Sequence, residues 1–190
     1  MLSSLCAVLI PAGFASTLAV IFCAASGQVL YKPKTNMPGK LLANAQTFVV
    51  GTTTAYMFYN YDSIVQYQPL HLELASMLYF SLLSELIFYW THRMLHVNNF
   101  MYRHVHRKHH LETTPSPIDA YILSIPETVL VVFSFTFPTC VGAVYVTQRA
   151  LAFIQTLHLL VAILNHGVIC KHHMLHHKYL RGNYSNVYPL

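Results

Sequence analysis

The distribution of charge constrains this chain more than any other feature. Residues 1–31 carry no charge before Lys32, and residues 41–61 carry none between Lys40 and Asp62. Residues 74–92 hold only Glu85, and residues 128–148 and 150–170 are charge-free on either side of Arg149. A hydrocarbon core of ~30 Å takes about 20 apolar residues of helix. Four or five membrane spans are therefore predicted, the last two forming a tight hairpin around Arg149. The fold class expected is all-α, a multi-pass transmembrane helical protein. The first stretch lacks a basic leader and its apolar run is too long for a cleaved signal, so it is read as a retained span. Residues 1–84 are assigned to N-terminal spans and residues 85–190 to a second, histidine-rich region.

Composition excludes the main alternatives. Hydrophobic residues make up 55% of the 190 and charged residues 9%, against roughly 25% charged in soluble domains. A soluble enzyme and a disordered tail are both excluded. The net charge of +5 is too thinly spread for a nucleic-acid face. The four cysteines, Cys6, Cys23, Cys140 and Cys170, form no C-x-x-C pair and read as small apolar residues.

The positive-inside rule orients the spans. With the N-terminus outside, the cytosolic segments are 32–40, 92–127 and 171–190. They hold Lys32, Lys34, Lys40, Arg93, Arg103, Arg107, Lys108, Lys171, Lys178 and Arg181, leaving only Arg149 of the eleven bases outside. This topology brings two histidine-rich windows, residues 92–110 and 166–177, to one membrane face.

Their spacing points to metal. His92 and His96 lie four apart, so on a helix both imidazoles share a face. His106, His109 and His110 form an i, i+3, i+4 set, and His173, His176 and His177 repeat it beside His172. Eight imidazoles around one point exceed the four ligands of a tetrahedral zinc and suit two ions. Imidazole favours iron, copper, zinc or nickel. His71 and His104 read as ordinary surface or core histidines. Metal-bound histidines hand their second ring nitrogen to an oxygen acceptor, and Glu85, Glu112, Asp119 and Glu127 are the available carboxylates.

The run Tyr89-Trp90-Thr91-His92-Arg93-Met94-Leu95-His96 resembles the first box of the fatty acid hydroxylase and sterol desaturase superfamily. Tyr102-Arg103 ahead of His106-Arg107-Lys108-His109-His110 is similar to its second box. His172-His173-Met174-Leu175-His176-His177 followed by Asn183-Tyr184 is similar to its last. The likeness covers roughly residues 85–186 and is nearest the sterol-modifying members. It implies a centre of two iron ions and a membrane oxidoreductase that hydroxylates or desaturates a lipid, sterol or fatty acyl, with dioxygen. Carried over by position, the metal ligands are His92, His96, His106, His109, His110, His173, His176 and His177, with His158 and His166 as candidates ahead of the last box. At 1.5 Å per residue from Arg149, His166 lies about 25 Å along and reaches the cytosolic face, while His158 lies only about 13 Å along.

No flavin or nicotinamide fingerprint is present, so electrons come from outside. The family implies cytochrome b5 or a similar carrier, which the basic face of Arg103, Arg107, Lys108, Lys171, Lys178 and Arg181 could dock. The implied location is the endoplasmic reticulum membrane, with the boxes on its cytosolic side. Departures from the family pattern are Ser124-Ile125-Pro126-Glu127, where relatives have His-Pro-x-acid, and Ser185 where glycine is common. The chain also stops at Leu190, ahead of the aspartate- and glycine-containing tail usual in relatives. A catalytically inactive relative is therefore the alternative. A haem electron carrier would need histidines on facing helices within the bilayer. A zinc transporter or hydrolase would place acids and histidines at mid-membrane, where only His158 qualifies.

Overall fold

The computed structural model describes residues 36–58, 68–141, 147–166 and 171–186. The first predicted span, residues 1–31, lies outside them, as does most of the turn before Arg149. The described residues are helical and contain no strand. Helix α1 (Met37–Phe58) corresponds to the second predicted span and α2 (Leu70–Val97) to the third. A three-residue α3 (Asn99–Met101) follows, then α4 (Ile125–Val141), α5 (Gln148–Asn165) and α6 (Lys171–Tyr179). Among the described residues, α2 is the one helix long and apolar enough to cross a bilayer. At 1.5 Å per residue its 28 residues extend about 42 Å. The apolar stretches Ile125–Pro138 and Phe153–Asn165 are shorter.

Helix α2 is organised inside out. Leu72, Leu74, Leu78, Leu82, Leu86 and Trp90 are exposed along its length, with His71 and Arg93 exposed near its ends, whereas Glu73, Ser84, Glu85 and His92 are buried together with Phe80 and Leu95. Water-soluble helices favour the reverse, and this arrangement suits a helix with apolar surroundings outside and polar partners inside. The partners are visible. Helix α4 packs between α1 and α2 and α5 packs on α2. Ser134 Oγ of α4 donates to Thr91 Oγ1 at 3.2 Å, and Phe88 stacks on Phe135 with ring centroids 5.2 Å apart. Small hydroxyl residues and aromatic plates of this kind let apolar helices approach closely.

The helix ends deliver the histidine windows. Asn98 breaks α2 and its side chain caps α3 by accepting from the Phe100 and Met101 amides. The chain then tightens into a π-helical turn, Tyr102–His106, and a 3₁₀ turn, His109–Leu111. A second 3₁₀ turn, Pro117–Tyr121, leads to α4. Beyond α6 the backbone takes left-handed conformations at Leu180, Gly182 and Asn183, with φ of 58°, 68° and 52°. Two of these are not glycine, a cost of roughly 1–2 kcal/mol each. The turn is held because its carbonyls serve the site.

Candidate metal centre

Nine histidines converge in two clusters. The first contains His92, His96, His106, His110 and His176, and the second His109, His166, His173 and His177. In each, one ring nitrogen per residue lies within 4.8 Å of all the others. The clusters abut, with the His110 and His177 rings 4.4 Å apart.

His92 and His96 both serve the first cluster, while the second and last boxes each divide between the two. The reason is helix geometry: at 3.6 residues per turn, neighbouring residues point about 100° apart. On α6, His173 and His177 turn one way and His176 the other. His109 and His110 diverge in the same manner, helped by the irregular backbone at His110, whose φ and ψ are −89° and 18°.

Tautomers can be read from the outer contacts. His92 Nδ1 lies 2.7 Å from the Tyr184 carbonyl and His176 Nδ1 2.8 Å from that of Gly182. A carbonyl only accepts, so each Nδ1 carries the hydrogen and donates it. His106 Nδ1 likewise meets Glu127 Oε1 at 2.6 Å. In a neutral imidazole the Nε2 atoms are then bare lone pairs, yet they face one another. His106 Nε2 lies 2.8 Å from His96 Nε2, 2.9 Å from His110 Nε2 and 3.1 Å from His92 Nε2. His92 Nε2 also faces His176 Nε2 at 3.1 Å, and with both Nδ1 atoms donating to carbonyls no hydrogen is available between them. The second cluster repeats the pattern: His166 Nδ1 meets the Ala162 carbonyl at 2.6 Å and His177 Nδ1 that of Glu112 at 3.1 Å. Their Nε2 atoms face each other at 3.2 Å. His173 is buried with no hydrogen-bond partner on either ring nitrogen. Converging buried lone pairs are costly unless a cation sits among them, so the donor set fits metal.

Electrostatics agree. Burial, followed by the neighbouring imidazoles, pushes His106, His109, His110, His173 and His177 well below the usual histidine value, and His176 is brought down to about 4. The rings are neutral at physiological pH, the form that ligates metal.

The remaining candidates divide clearly. His166 joins the second cluster. His158 joins neither: its Nδ1 is engaged by the Ile154 carbonyl at 2.8 Å and its ring packs on Phe135 at 4.5 Å. His71 and His104 are exposed, and His172 stands beside the clusters. Of the four carboxylates, Glu127 reaches a cluster histidine directly. Glu85 instead accepts from the Asn186 amide at 2.6 Å, while Asp119 and Glu112 turn toward Lys40. The supporting carbonyls of Gly182 and Tyr184 were not foreseen, since main-chain groups carry no side-chain signature; the Asn183-Tyr184 motif marked their place.

An apolar cavity of about 140 Å³ opens beside both clusters. His92 and His106 border it from the first, His109, His166 and His173 from the second, and Phe88 and Phe135 form part of its wall.

Fold and site define a helical protein with two convergent histidine clusters able to hold metal. The fatty acid hydroxylase family model matches residues 77–190, more than half of the chain, and the chain belongs to that family. Lathosterol oxidase of Rattus norvegicus is 30% identical over 88 residues, covering 41% of this chain. The match spans only 28% of that relative's length. No solved structure matches.

Proposed function

We propose that this chain is a multi-pass membrane oxidoreductase that hydroxylates or desaturates a lipid, a sterol or a fatty acyl chain, at a non-haem di-iron centre. The observation that carries the reading is the pair of histidine clusters bordering one apolar cavity. One iron is assigned to His92, His96, His106, His110 and His176, the other to His109, His166, His173 and His177. His158 is assigned to the cavity wall. Residues 1–84 supply the N-terminal spans and residues 85–190 the centre, which faces the cytosol at the endoplasmic reticulum membrane.

Bound iron would supply the activation of dioxygen that an unactivated C–H bond requires, chemistry beyond any side chain. The chain's own residues do the rest. Phe88, Val131, Val132 and Phe135 wall the cavity, accept hydrocarbon and keep water out. The cavity ends on histidines of both clusters, which brings the substrate carbon to the centre. Glu127 fixes the proton on His106 Nδ1 and thereby the direction of its Nε2. Electrons arrive from cytochrome b5 or a similar carrier. Arg103, Arg107, Lys178 and Arg181 are exposed and suited to dock its acidic face, whereas Lys108 donates to the Leu123 carbonyl and serves the fold.

Lipid profiling of cells expressing the full chain, beside His109→Ala and His176→Ala, tests the reading. A new hydroxylated or unsaturated lipid that depends on dioxygen and vanishes in both variants is expected. Identical profiles in all three would contradict catalysis and leave an inactive relative.

A further inference from the structure

We propose that a polar stripe on α1, Lys40-Asn44-Thr47, is the positioning element of the second histidine cluster, with Lys40 as its main member. The proposal rests on the two-metal reading above. Helix α1 lies outside residues 77–190, the part matched by the family model.

The three residues are spaced i, i+4, i+7 and so share one face of the helix. That face is applied to the turn before α4. Lys40 Nζ lies 2.6 Å from Asp119 Oδ1 and 3.9 Å from Glu112 Oε1. Asn44 Nδ2 donates to the Ile118 carbonyl at 3.0 Å, and Thr47 Oγ1 to that of Tyr121 at 2.8 Å. Lys40 is only 4% exposed and Asp119 2%. Breaking a buried pair strands the partner's charge, which strongly destabilises whatever that charge is attached to.

The clamped segment supports the second cluster through main-chain groups. His109 opens it. The Glu112 carbonyl accepts from His177 Nδ1. The other oxygen of Asp119 is held by the Ser116 amide and hydroxyl at 2.8 and 2.7 Å. Tyr121 Oη donates to the Leu159 carbonyl on α5, the helix that ends at His166. The braces of the first cluster, Glu127 and the carbonyls of Gly182 and Tyr184, come from other segments. Lys40 thus bears mainly on the second cluster, His110 being the one ligand of the first that stands in the same segment.

The test is iron content of the purified full chain after anaerobic loading with ferrous iron. Lys40→Met and Asp119→Asn are each expected to fall from two ions to one, with helix content unchanged. Adding His106→Ala to Lys40→Met should remove the remaining ion, whereas adding His173→Ala should leave it. Asn44→Ala and Thr47→Val, each losing its one hydrogen bond to the turn, should weaken the second ion by between about two- and tenfold. Retention of both ions in Lys40→Met overturns the proposal. So does loss of both ions in Lys40→Met or in Asp119→Asn, which would make the stripe a support of the whole fold. Fewer than two ions in the unaltered chain would instead bring down the two-metal reading itself.

Discussion

The two histidine clusters are built from the same boxes and yet are held differently. In the first, the outer nitrogens of His92, His106 and His176 are fixed by the Tyr184 carbonyl, the Glu127 carboxylate and the Gly182 carbonyl. His110 Nδ1 of the first cluster has no hydrogen-bond partner; in the second, His166 and His177 rest on main-chain carbonyls, while His109 Nδ1 and both nitrogens of His173 have none. A ligand whose outer nitrogen is tied keeps its tautomer and direction without metal; one that is untied is aimed by the ion itself. The first cluster therefore has three ligands tied from outside, one of them by a carboxylate, against two in the second, both tied by main-chain carbonyls, and the second leans more on the turn beneath it.

The strongest way to break this contrast is His106→Ala. Its Nε2 contacts three other Nε2 atoms, so the variant should lose the first ion and all measurable activity while metal analysis still finds the second ion. A smaller effect is expected from Glu127→Gln, which keeps the shape but not the charge at His106. An outer-shell loss of this kind costs about 10- to 100-fold in metal affinity. Titration of iron into the variant should show that deficit for one ion only, and an equal weakening of both would contradict the separation.

Acid acts on both clusters. The folded chain holds these imidazoles below the ordinary 6.5, with His176 down to about 4, so protons bind the unfolded chain first. The stability of the metal-free protein is then full above pH 6.5 and falls as pH drops toward 4. Thermal unfolding at stepped pH checks the sign, and a flat profile would contradict neutral, buried rings. Tyr121→Phe removes only the hydrogen bond to the Leu159 carbonyl, worth about 1 kcal/mol. It should be seen as a slight loss at the second ion and none at the first. His158→Leu should leave the iron content of both unchanged.

Much of the centre was legible in the spacing of the boxes, because i, i+3, i+4 patterns survive translation into helical faces. His92 and His96 on α2 meet as expected. The expectation of a single convergence point differed from the structure because His109-His110 and His176-His177 are adjacent pairs, and adjacency on a helical path means divergence. His166 stands with the second group of histidines and His158 outside both, in keeping with their distances along the helix. The supporting groups were not legible. Gly182 and Tyr184 act through carbonyls placed by a left-handed turn, and the stripe at Lys40, Asn44 and Thr47 has meaning only once the Pro117–Tyr121 turn lies against it. The spans were less legible than the charge pattern promised: α4 carries Pro138 within it, and α2 alone among the described helices has the length and apolarity to cross unaided.

Iron content of the intact chain beside His106→Ala and His173→Ala tests the account most directly. Two clusters that each hold one ion predict two ions per chain in the intact protein and one in each variant. They also predict none when both substitutions are combined. One ion or fewer in the intact chain, or two in either variant, would contradict it.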